Sequence, residues 1–316
     1  MRFLAILCLS VGLVSAEPVR LIFDTDMGND VDDVIALAEI HAFESRGEAK
    51  LLAVTITKDN RWAPVFVDLM NTYYGRADVP IGIVKGGKTP DDGNYLRPVA
   101  ESNRYPHRLT ETSEVPDAVA LLRETLAAQP DGSVVIVQVG FSTNLARLLD
   151  SENGRELAAR KVRLVSMMGG DFRPERISEY NINQDIPAAQ KLFGEWPGPI
   201  VTSAFDIGLG IAYPANNIEA DFRYAEHNPL TDAYRAYKPM PYDEPLWDPT
   251  AVWYAVRPDA GYFKTSEPGT ISVDEKGKTS FSPSPDGKQR YLIVDDVQRA
   301  RVREAISLLA SEPPRR

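Results

Sequence analysis

Five aspartates crowd into one ten-residue stretch of this 316-residue sequence. They are Asp24, Asp26, Asp30, Asp32 and Asp33. Carboxylates this close repel each other, so at least one takes up a proton unless a cation compensates. A ligand set made only of oxygens favours Ca²⁺ or Mg²⁺ over Zn²⁺. The stretch therefore predicts a site for a hard divalent cation.

Three other interpretations of the stretch compete with a cation site. A single Asp before a helix usually caps it, but five exceed what capping requires. An EF-hand loop needs Gly at position 6 and Glu at position 12, and counting from Asp24 places Asn29 and Ile35 there. A Mg²⁺-dependent phosphohydrolase, with Asp24 as nucleophile and Asp26 as general acid, stays open as an alternative.

The elements around the aspartates alternate between strand and helix. An apolar run over 19–23 ends at the aspartates, and apolar residues at helical spacing follow over 30–45. The same alternation predicts strands over 51–56, 80–84, 133–139, 162–168, 200–204 and 291–294, and helices over 63–74, 116–128, 143–150, 188–196, 216–238, 249–256 and 297–309. A long loop is predicted over 86–115, and a small C-terminal β-hairpin turns at 274–278. The pattern predicts an α/β fold with a mostly parallel, doubly wound, Rossmann-like sheet, which binds ligands beyond the carboxyl ends of its strands.

Composition narrows the class of protein further. The chain is 43% hydrophobic and 25% charged, which is typical of a globular protein. Its net charge of −10 argues against a nucleic-acid-binding surface. With three histidines in the chain, a zinc site built from histidine is not expected. Since no linker divides the sequence, we predict a single catalytic domain over 17–316.

The first sixteen residues have the pattern of a secretory signal peptide. Arg2 precedes an apolar run over 3–14, and Val14-Ser15-Ala16 matches a small-residue cleavage site. The run is too short to span a bilayer. Cleavage after Ala16 would leave a chain without cysteine, because Cys8 is the only one. We therefore expect an exported protein, bacterial periplasmic or secreted, with no membrane association after cleavage.

The aspartate stretch resembles the N-terminal signature of the nucleoside hydrolase family, the inosine–uridine preferring N-ribohydrolases. That signature is Asp-x-Asp, Gly and an Asp-Asp pair entering a helix, here Asp24-Thr-Asp26, Gly28 and Asp32-Asp33. Further blocks resemble the family in the same order along the chain: 54–60, 140–144, 167–170, 179–181 with 185–189, and 247–249. The resemblance implies the nucleoside hydrolase fold and hydrolysis of ribonucleosides, or related N-ribosides, to ribose and free base.

The resemblance also implies a cofactor and a general base. A Ca²⁺ ion would be held by Asp26, Asp33, Asp248 and the backbone carbonyl of Thr143. Asp26 would also take a proton from the metal-bound water, which then attacks the anomeric carbon through an oxocarbenium-like transition state. Asp24 would orient Asp26 through a hydrogen bond.

Substrate contacts follow from the same resemblance. Asp32 and Asn181 would hold the 2′-hydroxyl, Asn60 and Asp248 the 3′-hydroxyl, and Glu179 the 5′-hydroxyl, while Met168 would contact the ribose and Trp247 would stack on the base. Many relatives have His where this chain has Trp247, so activation of the leaving base differs here.

Two further expectations rest on the resemblance and one alternative stays open. Relatives are dimers or tetramers, which predicts a homo-oligomer. An exported enzyme of this kind would serve salvage of external nucleosides. The alternative is a ribose- or nucleoside-binding protein that keeps the calcium site and has lost turnover.

Overall fold

A computed structural model describes residues 17–315, so the predicted signal peptide at 1–16 lies outside the described residues. The strands are β1 (Val19–Thr25), β2 (Ala49–Lys58), β3 (Ile81–Lys88), β4 (Val134–Gln138), β5 (Val162–Met168), β6 (Ile200–Ser203), β7 (Ala212–Tyr213), β8 (Glu244–Pro245), β9 (Lys264–Thr265), β10 (Gly269–Val273), β11 (Thr279–Pro283) and β12 (Gln289–Ile293). The helices are α1 (Asp32–Ser45), α2 (Trp62–Tyr73), α3 (Leu96–Ala100), α4 (Ala118–Ala127), α5 (Thr143–Asp150), α6 (Gly154–Lys161), α7 (Tyr180–Gln184), α8 (Ile186–Glu195), α9 (Phe205–Leu209), α10 (Ala215–Ala220), α11 (Pro229–Tyr237), α12 (Trp247–Val256) and α13 (Asp296–Ala310).

One large sheet runs through the described residues, in the order β11-β10-β12-β6-β5-β4-β1-β2-β3. The pairs from β12 to β3 are parallel, whereas β10 pairs antiparallel with both β11 and β12. The strands β10 and β11 form the small C-terminal hairpin that the sequence predicts. The prediction of a mostly parallel α/β fold is therefore confirmed.

Helices cover both faces of this sheet, as the side chains of β1 show. Leu21 and Phe23 join the hydrophobic cluster that contains the apolar side chains of α1, α2 and α12. Ile22 points the other way, into the cluster formed with α4, α5 and α8. All three side chains are fully buried. A strand buried on both faces is continuously apolar, which is why β1 has no alternating pattern.

The structure corrects several boundaries. The predicted helix over 216–238 is two helices, α10 and α11, because Asn228 caps a new helix whose first residue is Pro229. The predicted loop over 86–115 contains α3, and the sequence analysis missed α6, α7 and α9, which are all shorter than nine residues. Short helices carry too few residues for a periodic signal.

The order of the strands decides where a ligand can bind. The chain passes from β1 to β2 on one side and reaches β4 on the other side only later. The crevice at such a switch point, beyond the carboxyl ends of the strands, is where open α/β sheets bind ligands. The aspartate stretch begins in the last residues of β1 and therefore lies in this crevice. Within residues 17–315, none of the helices combines the length and the apolar character that crossing a membrane requires.

One buried acid outside this crevice makes stability depend on pH. Glu39 of α1 is fully buried, and neither of its carboxyl oxygens has a hydrogen-bond partner. Burial raises the pKa of Glu39 well above its usual range, and the charge of Arg257 opposes the rise only in part. Because the pKa is higher in the folded state than in the unfolded state, folding is favoured at low pH. This contribution is lost as the pH rises through the folded-state pKa.

We predict that Glu39→Gln makes the protein more stable at pH 8 and removes part of the stability loss between pH 5 and pH 8. The expected gain in the free energy of unfolding at pH 8 is on the order of 1 kcal/mol or more, since one pKa unit corresponds to about 1.4 kcal/mol. Urea unfolding across this pH range measures it. Glu304→Gln, at an exposed position of α13, is the matched control. A Glu39→Gln variant that is less stable than the parent at pH 8 would contradict the prediction.

Candidate active site

Two glycines allow close approaches of the backbone around the aspartates. Gly28 adopts a φ of +115°, and a Cβ there would lie 2.8 Å from Leu96 Cγ. Gly140, after β4, passes so close to β1 that a Cβ would lie 2.6 Å from the backbone nitrogen of Asp26. These approaches bring α3 and the loop after β4 against the aspartate stretch. They explain why both positions lack a side chain.

Four carboxyl groups meet at the N-terminal end of α1. Oxygens of Asp30, Asp32, Asp33 and Asp248 lie within 4.8 Å of one another. Asp32 Oδ2 accepts a hydrogen bond of 2.9 Å from the backbone N–H of Asp248, and the hydroxyl of Thr25 donates to Asp33. Asp32 Oδ1 and Asp33 Oδ2 are buried without a partner. Buried oxygens of this kind are available to ligate a cation.

The raised pKa values of the clustered carboxyl groups also indicate a cation site. Burial raises the pKa values of Asp32, Asp33 and Asp248 well above their usual range, and the neighbouring carboxylates raise them further. Burial and the charge of Asp30 raise the pKa of Asp26 to about 7. Such groups cannot all be ionised near neutral pH unless positive charge is brought to them. The oxygen-only donor set and the unpartnered oxygens fit a hard divalent cation.

Asp24 lies behind this cluster. Its Oδ1 accepts hydrogen bonds from the Thr55 hydroxyl at 2.6 Å and the Asn144 amide at 2.8 Å, and burial raises its pKa to about 7. The predicted hydrogen bond to Asp26 is not formed. The donors from β2 and α5 both bond to Oδ1 of Asp24, and its Oδ2 has no partner. Asp24 thus ties β1 to its neighbours.

Asp26 is held by a chain of polar contacts. Its Oδ2 accepts a hydrogen bond of 2.6 Å from the Asn29 amide. The side-chain oxygen of Asn29, Oδ1, accepts a hydrogen bond of 2.8 Å from Lys58 Nζ. Lys58 Nζ also donates to the backbone carbonyl of Thr89 at 2.8 Å. Lys58 is almost completely buried. The sequence analysis gave Asn29 and Lys58 no role, although a lysine at the end of a buried strand is a usable signal because buried lysines are rare.

A cavity of about 570 Å³ opens beside Asp26. This volume is within the range of small-molecule sites. Six of the predicted site residues line it: Asp26, Met168, Glu179, Asn181, Trp247 and Asp248. The other predicted residues are not among those that line it: Asp24, Asp32, Asp33, Asn60 and Thr143.

Asn60 and Thr143 make contacts that fix loops. The Asn60 amide donates to the Pro90 carbonyl at 2.8 Å, and its oxygen accepts from the backbone N–H of Trp62 at 2.8 Å. The Thr143 hydroxyl donates to Asp185 at 2.6 Å. Since this bond uses only the side chain, the predicted role of the Thr143 carbonyl as a metal ligand stays a prediction, as does the contact of Asn60 with ribose.

Glu179 and Asn181 shape the cavity wall. Glu179 caps α7, and its carboxyl group accepts hydrogen bonds from the backbone N–H groups of Asn181, Ile182 and Gly170. Burial raises its pKa to about 7 against the opposing effect of these bonds. The Asn181 amide donates to the Val139 carbonyl at 2.8 Å. Both side chains therefore have fixed orientations before any ligand binds.

A stacked aromatic pair also lines the cavity. Trp247 stacks on Phe205 with ring centroids 5.7 Å apart, and its indole N–H donates to the Phe205 carbonyl at 2.9 Å. Further lining residues are Tyr237, Lys238 and Glu244. The sequence analysis missed Phe205 and these three residues, because they belong to short elements with no motif.

Comparisons with known proteins agree with this geometry. A sequence model of the inosine-uridine preferring nucleoside hydrolases matches residues 21–304. The chain belongs to this nucleoside hydrolase family. As a nucleoside hydrolase it is an enzyme that cleaves N-glycosidic bonds, and its family implies ribonucleoside substrates. A comparison with curated protein sequences finds no match.

Solved nucleoside hydrolase structures have the same fold. A plant enzyme, PpNRh1, is 21% identical with a TM-score of 0.73, and the match covers 94% of this chain and 100% of that chain. The purine-preferring ribonucleoside hydrolase from Gardnerella vaginalis is also 21% identical, with a TM-score of 0.72 and coverage of 92% and 99%. The inosine-uridine preferring enzyme from Bacillus anthracis is 18% identical, with a TM-score of 0.70 and the same coverage. At these identities the structures establish the fold alone.

We predict that Ca²⁺ stabilises this nucleoside hydrolase and that Asp248→Asn abolishes the effect. Removing one charge from the carboxylate cluster relieves repulsion, so the variant is expected to melt at a higher temperature than the parent in chelator. A ligand present at 100 times its Kd stabilises by about 2.7 kcal/mol. Thermal unfolding with Ca²⁺ and with chelator measures both effects.

Asp286→Asn, at an exposed turn, is the matched control and is expected to keep the full response to Ca²⁺. Equal Ca²⁺ responses in the parent and in Asp248→Asn would place the ion elsewhere. Mg²⁺ in a parallel series tests the identity of the ion, because Mg²⁺ accepts fewer oxygen ligands than Ca²⁺.

Proposed function

We propose that the protein is a Ca²⁺-dependent ribonucleoside N-ribohydrolase in which Asp26 is the general base. One observation carries the proposal: Asp26 lines a cavity of nucleoside size beside a carboxylate cluster in which two buried oxygens, Asp32 Oδ1 and Asp33 Oδ2, lack partners. Asp33 and Asp248 belong both to the predicted ligand set and to the observed cluster, and they would hold the ion. A bound divalent cation supplies positive charge that offsets the carboxylates and polarises a neighbouring water.

Different residues of this chain act on the water, the ribose and the base. Asp26 accepts a proton from the attacking water, and the Asn29 amide keeps its carboxyl group oriented. Asn181, Glu179 and Asp248 line the same cavity and bind ribose hydroxyls. The Trp247–Phe205 pair offers a flat apolar surface for the base. Attack at the anomeric carbon then releases the base from the ribose.

The two alternatives make different demands on the site. A phosphohydrolase would need Asp24 as an accessible nucleophile, but Asp24 is fully buried and does not line the cavity. This position argues against that alternative. A binding protein without turnover would use the same cavity, so activity has to separate it from the enzyme.

We predict chelator-sensitive release of ribose from nucleosides, and its loss in Asp26→Asn by at least about 100-fold, the usual contribution of a general base. The measurement is reducing-sugar release by residues 17–316 from inosine, adenosine, guanosine, uridine, cytidine and nicotinamide riboside. Asp286→Asn is expected to match the parent. Ribose and calcium binding without release would establish the binding protein, and phosphate release from nucleotides would establish the phosphohydrolase.

We also propose that the protein is exported, that residues 1–16 are its signal peptide, and that it takes part in salvage of external purine and pyrimidine nucleosides. The basic start, the apolar run and the small-residue site support this proposal. By analogy with its relatives we propose a homo-oligomer, either a dimer or a tetramer. N-terminal sequencing of the mature protein and its mass in solution test these points.

A further inference from the structure

The lining of the cavity carries one positive charge among the described residues. Among the described residues that line the cavity, Lys238 is the only cationic side chain, and none is histidine. Lys238 follows the last residue of α11, while Glu244 comes from β8 on the other side of a short loop. Two separate elements therefore bring an ammonium group and a carboxyl group to the same wall.

Glu244 fixes the position of this ammonium group. Lys238 Nζ lies 3.0 Å from Glu244 Oε2 and 3.4 Å from Oε1. The Glu244 side chain is 2% exposed, whereas that of Lys238 is 47% exposed. The same nitrogen lies 4.5 Å from the ring centroid of Tyr237 and 5.4 Å from that of Tyr242. A buried acceptor and two ring faces thus hold a cation whose remaining N–H groups stay accessible.

Hydrolysis of a nucleoside requires stabilisation of the charge that develops on the departing base. When the bond between the anomeric carbon and the base nitrogen breaks, its electron pair stays on the base, which becomes negatively charged. A hydrogen-bond donor at the base stabilises this charge in the transition state. Trp247 is not such a donor, because its indole N–H is bonded to the Phe205 carbonyl at 2.9 Å.

We propose that Lys238 activates the leaving base by donating a hydrogen bond to it, and that Glu244 is the positioning residue for Lys238. This inference rests on the proposed ribohydrolase activity. The attacking water bonds through its oxygen to the anomeric carbon and gives one proton to Asp26, while the electron pair of the broken bond stays on the base. The base takes up one proton from solvent, and Asp26 returns its proton to solvent. Lys238 stabilises the developing negative charge and is unchanged at the end of the cycle.

The test compares two leaving groups in Lys238→Met. One substrate is the best nucleoside of the panel, and the other is 4-nitrophenyl β-D-ribofuranoside, whose nitrophenolate leaves without assistance. We expect kcat on the nucleoside to fall by about 100-fold, as for loss of a general acid. The fall on the nitrophenyl riboside is expected to be at least about tenfold smaller. An equal fall on both substrates, or no fall on the nucleoside, would overturn the proposal.

Two further variants separate positioning from folding. Lys238→Arg keeps a cationic donor and is expected to recover part of the nucleoside activity that Lys238→Met loses. Glu244→Gln is expected to lower kcat on the nucleoside more than on the nitrophenyl riboside, with KM changed less than kcat. A Glu244→Gln loss that is the same for both substrates would show a merely structural role.

Lys276→Met, at an exposed turn of the β10–β11 hairpin, is the matched control and is expected to match the parent on both substrates. If the parent itself releases ribose from no nucleoside of the panel, the proposed function fails and this inference fails with it. If the parent releases ribose and Lys238→Met shows no preference between leaving groups, only this inference fails.

Discussion

Repulsion among buried carboxyl groups is the constraint on which the rest of this structure depends. Asp30, Asp32, Asp33 and Asp248 bring oxygens within 4.8 Å of one another in a largely buried place. Ionised groups in such a place lose hydration and repel each other, so the arrangement is costly without a compensating charge. The surrounding fold supplies only part of the compensation, through Thr25 and the backbone N–H of Asp248. The remaining oxygens fit a divalent cation, whose positive charge would offset the repulsion.

The sheet makes this concentration of charge possible. The strand that delivers Asp24 lies between β2 and β4, so donors from both sides reach it: Thr55 and Asn144. The loop after the strand is held by Asn29, Lys58 and the Thr89 carbonyl, which connect it to the end of β3. The acids therefore sit on a rigid support, and their geometry does not depend on the mobile ends of loops.

The cavity divides into two parts with different chemistry. Its floor, with Asp26, Asp248 and Asn181, is acidic and suits hydroxyl groups and a cation. Its lining also includes the aromatic Trp247–Phe205 pair and the Lys238–Glu244 ion pair. Asp26 follows β1 and Asn181 lies in the short helix α7. Asp248 and Trp247 are neighbours at the start of α12, so the two parts share an element.

The sequence by itself determined the parallel α/β sheet and the acidic floor. Strand and helix alternation depends on local apolar patterns, and the acids of the cluster lie mostly in one contiguous motif whose residue types indicate a cation site. Six of the predicted site residues line the cavity for the same reason, since each belongs to a recognisable block. The family resemblance, which rested on those blocks, is confirmed.

Only the tertiary structure decided what faces the base and how Asp26 is held. Lys238 and Glu244 are six residues apart on different elements, and no local pattern places both at one cavity. Lys58 reaches Asn29 because β2 pairs with β1, and Trp247 reaches Phe205 because α12 packs beside α9. Neither contact follows from spacing along the chain. They depend on packing between segments that are distant in the sequence. This packing is determined by the burial of the whole core together and not by any one segment.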